Sequence, residues 1–183
     1  MSLPRVIVLN GGSSSGKSAI ARELQALLDG LWLRLGVDTL IDAAPPATFA
    51  DEGLVFGTEG EVTVGSQFRA LEEAWMAGVA CMARRGALLL VEDNFVSGPQ
   101  TQHRWADALS GISVSWVGVH CDASVAAERE SKRGNRVTGM AAKQAIQVHR
   151  GISYDLEVDT TTQPPHAVAR AIQRSFHLPL RPD

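Results

Sequence analysis

Residues 11 to 18 read Gly11-Gly12-Ser13-Ser14-Ser15-Gly16-Lys17-Ser18, the pattern G-x-x-x-x-G-K-[ST], and its flanks are as informative as the pattern itself. Arg5 to Asn10 is a β-branched apolar run suited to a strand buried on both faces. From Lys17, Ile20, Leu24, Leu27 and Leu28 recur at helical spacing until Gly30, a stop signal. A strand, a glycine-rich loop and a helix in that order hold phosphate oxygens on inward-pointing backbone N–H groups, with the positive end of the helix dipole beneath the anion. Chance supplies such a pattern in on the order of one chain in a hundred. Its place between a buried strand and an amphipathic helix is the context that confirms it. Lys17 is then expected on the β and γ phosphates of ATP, and the Ser18 hydroxyl on Mg²⁺.

The rest of the chain alternates in the same way. Leu31 to Val37 predicts a second strand delivering Asp38 at its end, and Phe68, Leu71, Trp75, Val79 and Met82 predict a long helix closed by Gly86. Residues 43 to 65 are irregular and read as lying outside the core, with Val62 and Val64 suggesting a small hairpin. Ala87 to Val91, Val114 to Val119 and Leu156 to Val158 predict further strands. Helices are expected over 100 to 109, over 123 to 150 with breaks at Gly134 and Gly139, and around Val168, Ile172 and Phe176. The expectation is one α/β domain over 1 to 183: three layers, about five parallel strands with helices on both faces. In such sheets ligands bind at the carboxyl ends of the strands.

Composition narrows the partners. The formal charge of −3 argues against nucleic acid, which calls for a basic face. No segment approaches the ~18 apolar residues of a membrane span, and no secretory signal is evident, so a cytoplasmic protein is expected, possible homo-oligomer formation being left open. Cys81 and Cys121 lack metal-ligand spacing and read as buried thiols. The five histidines read as surface or satisfied groups.

Acids and bases at the strand ends supply the candidate chemistry. Glu92-Asp93, after four apolar residues, reads either as carboxylates holding Mg²⁺ directly or through water, or as caps of a following helix. Asp38 reads either as the carboxylate that orients an attacking hydroxyl and accepts its proton, or as the N-cap of a helix begun by Thr39. Arg129, Lys132, Arg133 and Arg136 surround Gly134-Asn135; they read as a solvated face, or as a hinged lid over 129 to 140 whose guanidiniums close on the γ-phosphate.

Beyond the loop, GVDTLID at 36 to 42, FRALEEAW at 68 to 75, WVGVHCD at 116 to 122, RGNRVTGMAAKQ at 133 to 144 and YDLEVDTT at 154 to 161 resemble chloramphenicol phosphotransferase. The resemblance implies a P-loop kinase-like fold and ATP-dependent phosphorylation of the primary hydroxyl of chloramphenicol. By it, Asp38 matches the base, Lys17 and Ser18 the phosphate and metal contacts, Arg133 and Arg136 the lid arginines, and Asp159-Thr160-Thr161 would lie near the adenine, with Arg129 on the nucleotide. The acceptor is expected against Asp38, Thr39, Asp93 and Phe95. Glu92-Asp93-Asn94 stands where the family pattern has two aspartates, and Pro45-Pro46 where an apolar residue is usual, so the reaction type carries over better than the acceptor. Two other readings are a metabolic kinase of the shikimate or gluconate type and a non-catalytic nucleotide-binding module. The first needs cations for an anionic acceptor, and 39 to 75 offers only Arg69; a guanine-specific N/T-K-x-D is missing.

Overall fold

The computed structural model describes residues 3–50, 52–58, 60–133 and 139–182. Among them, strands β1 (Val6–Asn10), β2 (Trp32–Gly36), β5 (Leu88–Asp93), β6 (Val114–His120) and β7 (Leu156–Asp159) form a five-stranded sheet in the order β2-β5-β1-β6-β7. All four pairings are parallel. Helices α1 (Lys17–Leu27), α2 (Val37–Ala43), α3 (Ser66–Arg84), α4 (Pro99–Ala108), α5 (Ala123–Ser131), α6 (Met140–Gln147) and α7 (Pro165–Ser175) connect and cover it. Between α2 and α3, β3 (Leu54–Phe56) and β4 (Val62–Val64) pair as an antiparallel hairpin. No described helix is long and apolar enough to cross a membrane.

The continuous apolar run of β1 is explained by the layers. Successive side chains of a strand point to opposite faces. Ile7 and Leu9 pack with Ile20 and Leu24 of α1 and Val168 and Ile172 of α7. Val6 and Val8 pack with Met76, Val79 and Ala83 of α3 and with Trp105 of α4. Each face therefore has its own core, and a strand flanked by both has no polar side to show.

Four local expectations are corrected. The buried face of α3 is Phe68, Glu72, Met76, Val79, Ala80 and Ala83, so the helix is rotated from the predicted stripe and leaves Leu71 40% exposed. The stripe was read from the largest apolar side chains, whereas alanines fill the close approach to the sheet. Cys81 falls on the outer face of α3 and is exposed; Cys121 is buried. The 43 to 65 region contributes Leu54 and Thr48 to the interior. Gly36, not Asp38, occupies the N-cap position of α2; Asp38 sits in the first turn, and the Thr39 hydroxyl accepts from the Gly36 N–H at 3.2 Å.

Candidate active site

The carboxyl ends of β1 and β5 are level, Asn10 standing opposite Asp93, and Glu92 stands opposite Gly36 at the end of β2. This register brings the phosphate loop, the Glu92-Asp93 pair and the Val37–Ala43 helix to one rim. Gly11 is held there by space: a Cβ would lie 2.5 Å from the Val119 carbonyl oxygen. Gly16 has φ +93°, the left-handed region glycine alone enters freely, and Ser14 shares that region at φ 59°. The Lys17 ammonium donates to the Gly11 and Gly12 carbonyls at 2.6 and 2.9 Å. Ser14 and Ser15 are buried, and their hydroxyl oxygens have no hydrogen-bond partner among the described residues. Such orphaned polar atoms in a loop of this pattern fit a bound polyphosphate.

Glu92 and Asp93 do different work. A Glu92 carboxylate oxygen receives the Ser18 hydroxyl at 2.5 Å, and the other lies 3.2 Å from Arg34 Nε. Asp93 is spent inside: Oδ2 accepts from the Trp105 indole at 2.6 Å and Oδ1 from the Asn94 N–H at 2.7 Å. Burial raises its pKa to about 6 against the lowering effect of the Trp105 bond. Oxygen donors such as the Ser18 hydroxyl and Glu92 carboxylate suit Mg²⁺.

A cavity of about 290 Å³ opens from the loop, and its lining includes Lys17, Ser18, Asp38, Thr39, Glu92 and Arg133. Its lining also includes an apolar wall, Leu54 and Phe56 of β3, Val62 and Val64 of β4, and Phe68 of α3. Asp93 borders it, but Phe95 does not reach it: the ring is fully buried, edge-on to Trp116 at 6.3 Å. The expected contact of Phe95 with an acceptor is therefore corrected, because the chain turns the ring into the core while its N–H donates to Asn10 Oδ1. Arg129, Asp159 and Thr160 lie on the β6–β7 side of the loop, outside this cavity. Arg129 donates to the Thr160 carbonyl at 2.7 Å, Thr160 Oγ1 donates to the Ser15 carbonyl at 2.7 Å, and Asp159 accepts from the Thr161 N–H. Arg136 lies outside the described residues.

Sequence reasoning missed several residues around the site, Gln144, Glu130, Tyr154 and His149 among them. Gln144 of α6 accepts from the Ser13 N–H at 2.8 Å. Glu130, buried, accepts from the Gly139 and Ala141 N–H groups at 2.9 and 2.8 Å and so caps the start of α6. Asn10 donates to the Val148 carbonyl and to Tyr154 Oη, which pairs with His149 Nδ1 at 2.7 Å. Burial, then the charges of His120 and Lys17, lowers the His149 pKa to about 4. Arg34 stands out as the one charge in the apolar row Trp32 to Leu35; Glu72, beside Glu73, and Gln144 carried no such signal.

Residues 4–177 match the model of the chloramphenicol phosphotransferase-like protein family. The chain belongs to that family. Consistent with membership, two Mycobacterium tuberculosis proteins described as candidate O-phosphotransferases are 31% identical over 94% of this chain and 82% of their own length. The fold is similar to that of the Deinococcus radiodurans tunicamycin resistance protein, with TM-score 0.67 and 19% identity over 98% of this chain and 99% of that one. It is also similar to a Janibacter sugar kinase, with TM-score 0.70 and 15% identity over 96% and 95% of the two chains. The family member described here is thus a P-loop enzyme that moves phosphate onto a hydroxyl group.

Proposed function

We propose that the chain transfers the γ-phosphoryl group of ATP to the primary hydroxyl of a small neutral alcohol, with the 3-hydroxyl of chloramphenicol as the leading acceptor and antibiotic inactivation as the outcome. The observation that carries this reading is the continuity of one cavity from Lys17 and Ser18, past Asp38, to the apolar wall of the hairpin and Phe68. That wall suits an uncharged, partly aromatic acceptor; of the arginines at the cavity, Arg22, Arg34 and Arg133, Arg34 is engaged by Glu92. A shikimate- or gluconate-type acceptor is disfavoured on the same ground.

In this reading Asp38 orients the attacking hydroxyl and accepts its proton, with Thr39 beside the acceptor. Lys17 and the loop amides hold the β and γ phosphates, and Arg133, with Arg136, closes over the transferring group from a lid spanning 129 to 140 of a single domain. Arg129, Asp159 and Thr160 serve the nucleotide. Ser18 and Glu92 would hold Mg²⁺, which when bound neutralises phosphate charge, with Asp93 positioned behind them. The reaction takes place in the cytoplasm.

An ADP-release screen of alcohols including chloramphenicol, with mass spectrometry of the product, tests the reaction. Asp38→Asn is expected to lower kcat about 10²- to 10⁴-fold with ATP binding retained; undiminished acceptor-dependent turnover would remove Asp38 from the role of base.

A further inference from the structure

Beside Asp93, a second buried carboxylate lines the acceptor cavity. Glu72, on the inner face of α3, lines the cavity and is only 7% exposed. Its Oε2 receives two guanidiniums, Arg69 at 2.5 Å and Arg104 at 3.0 Å. Its Oε1 carries no hydrogen bond among the described residues. Arg69 also donates to the Ser97 hydroxyl at 3.0 Å and Arg104 to Thr101 Oγ1 at 3.2 Å, Arg104 Nε is buried without a partner among the described residues, and neither arginine lines the cavity. Thr101, 2% exposed, does line it. Its hydroxyl oxygen accepts from the same Arg104 nitrogen that contacts Glu72, so its own hydrogen is kept for another partner. The floor of the acceptor cavity therefore presents a charged acceptor and a hydroxyl donor, bridged by a single guanidinium nitrogen.

We propose that Glu72 and Thr101 form a specificity site for a second, neutral hydroxyl of the acceptor, distinct from the one that is phosphorylated. A hydroxyl both donates and accepts, so it satisfies the Glu72 carboxylate and the Thr101 hydroxyl together. A carboxylate or phosphate on the acceptor meets Glu72 Oε1 with no donor of its own and is rejected. An alcohol lacking the second hydroxyl leaves a buried carboxylate oxygen stripped of water and unpaired, which discriminates far more strongly than apolar contact does. The inference rests on the phosphotransfer reading above and adds which side chains read the second hydroxyl of such an acceptor, Glu72 and Thr101.

The test measures ADP release by the intact enzyme with 3-phenylpropan-1-ol and 1-phenylpropane-1,3-diol, a pair differing by one hydroxyl, alongside chloramphenicol. Wild type is expected to favour the diol roughly ten- to a hundredfold in kcat/KM, the range of a hydrogen bond to a charged group. Glu72→Gln is expected to shrink that preference about tenfold while leaving the KM for ATP in place, with Thr101→Val as the second variant should the first not fold. Equal kcat/KM for the pair in wild type, or an undiminished preference in both variants, overturns the specificity site and leaves phosphotransfer standing. No ADP release with any of the alcohols overturns the phosphotransfer reading and this inference with it.

Discussion

The Trp105 indole N–H donates to Oδ2 of Asp93 at 2.6 Å inside the core between β5 and α4. With the Asn94 N–H on Oδ1, both Asp93 oxygens are engaged, and Glu92 is the member of the pair that reaches Ser18. Glu92→Gln should therefore lower kcat about 10²-fold and raise the magnesium concentration needed, read from steady-state rates across a magnesium titration. Trp105→Phe should instead cost about 1–3 kcal/mol of stability by leaving a buried carboxylate without its donor. An equal rise in the magnesium requirement of both variants would contradict the division of labour.

Gln144 ties the last turns of α6 to the phosphate loop through the Ser13 N–H. Gln144→Ala should loosen the loop and raise the dissociation constant for ADP about fivefold, consistent with one hydrogen bond of about 1 kcal/mol. Isothermal titration calorimetry on both proteins reads this directly, and unchanged affinity would show that the loop holds its shape without the contact.

Glu130 satisfies two backbone donors at the start of an eight-residue helix too short to stand alone. Glu130→Ala should destabilise the protein by about 1–3 kcal/mol in urea unfolding. Glu130→Gln keeps one acceptor and should recover about half of that loss.

His149 has its pKa lowered to about 4, so the folded protein resists protonation that the unfolded chain accepts near 6.5. The unfolded state then binds more protons between those values, and stability is lost as pH falls from about 6.5 through about 4. His149→Gln should flatten that part of the urea-midpoint profile. A wild-type and variant pair with parallel profiles between pH 7 and 4 would show that another group sets the acid limb.

The phosphate loop, the order of strands and helices and a hairpin at Val62 and Val64 were legible because each rests on local chemistry: the glycines, alternating or helical spacing, and turn residues. The buried face of α3 was not. Leu71 and Trp75 are the larger apolar residues, yet Ala80, Ala83 and the paired Glu72 face the interior, and only packing against the sheet selects small side chains and a carboxylate with two arginines behind it. Phe95 misled for the same reason, since its direction depends on the bond between its N–H and Asn10, 85 residues away.

By itself the sequence determined that a strand, a phosphate loop and a helix stand first, that Lys17 belongs to the loop, and that acids lie at the end of β5 and just past the end of β2, because these follow from nearest-neighbour backbone geometry. Tertiary structure decided which acid meets Ser18, that Gln144 reaches the loop, and that Glu72 faces the acceptor cavity. These depend on strand register and helix rotation, which are set by the close packing of two cores against one sheet and leave no trace in local spacing.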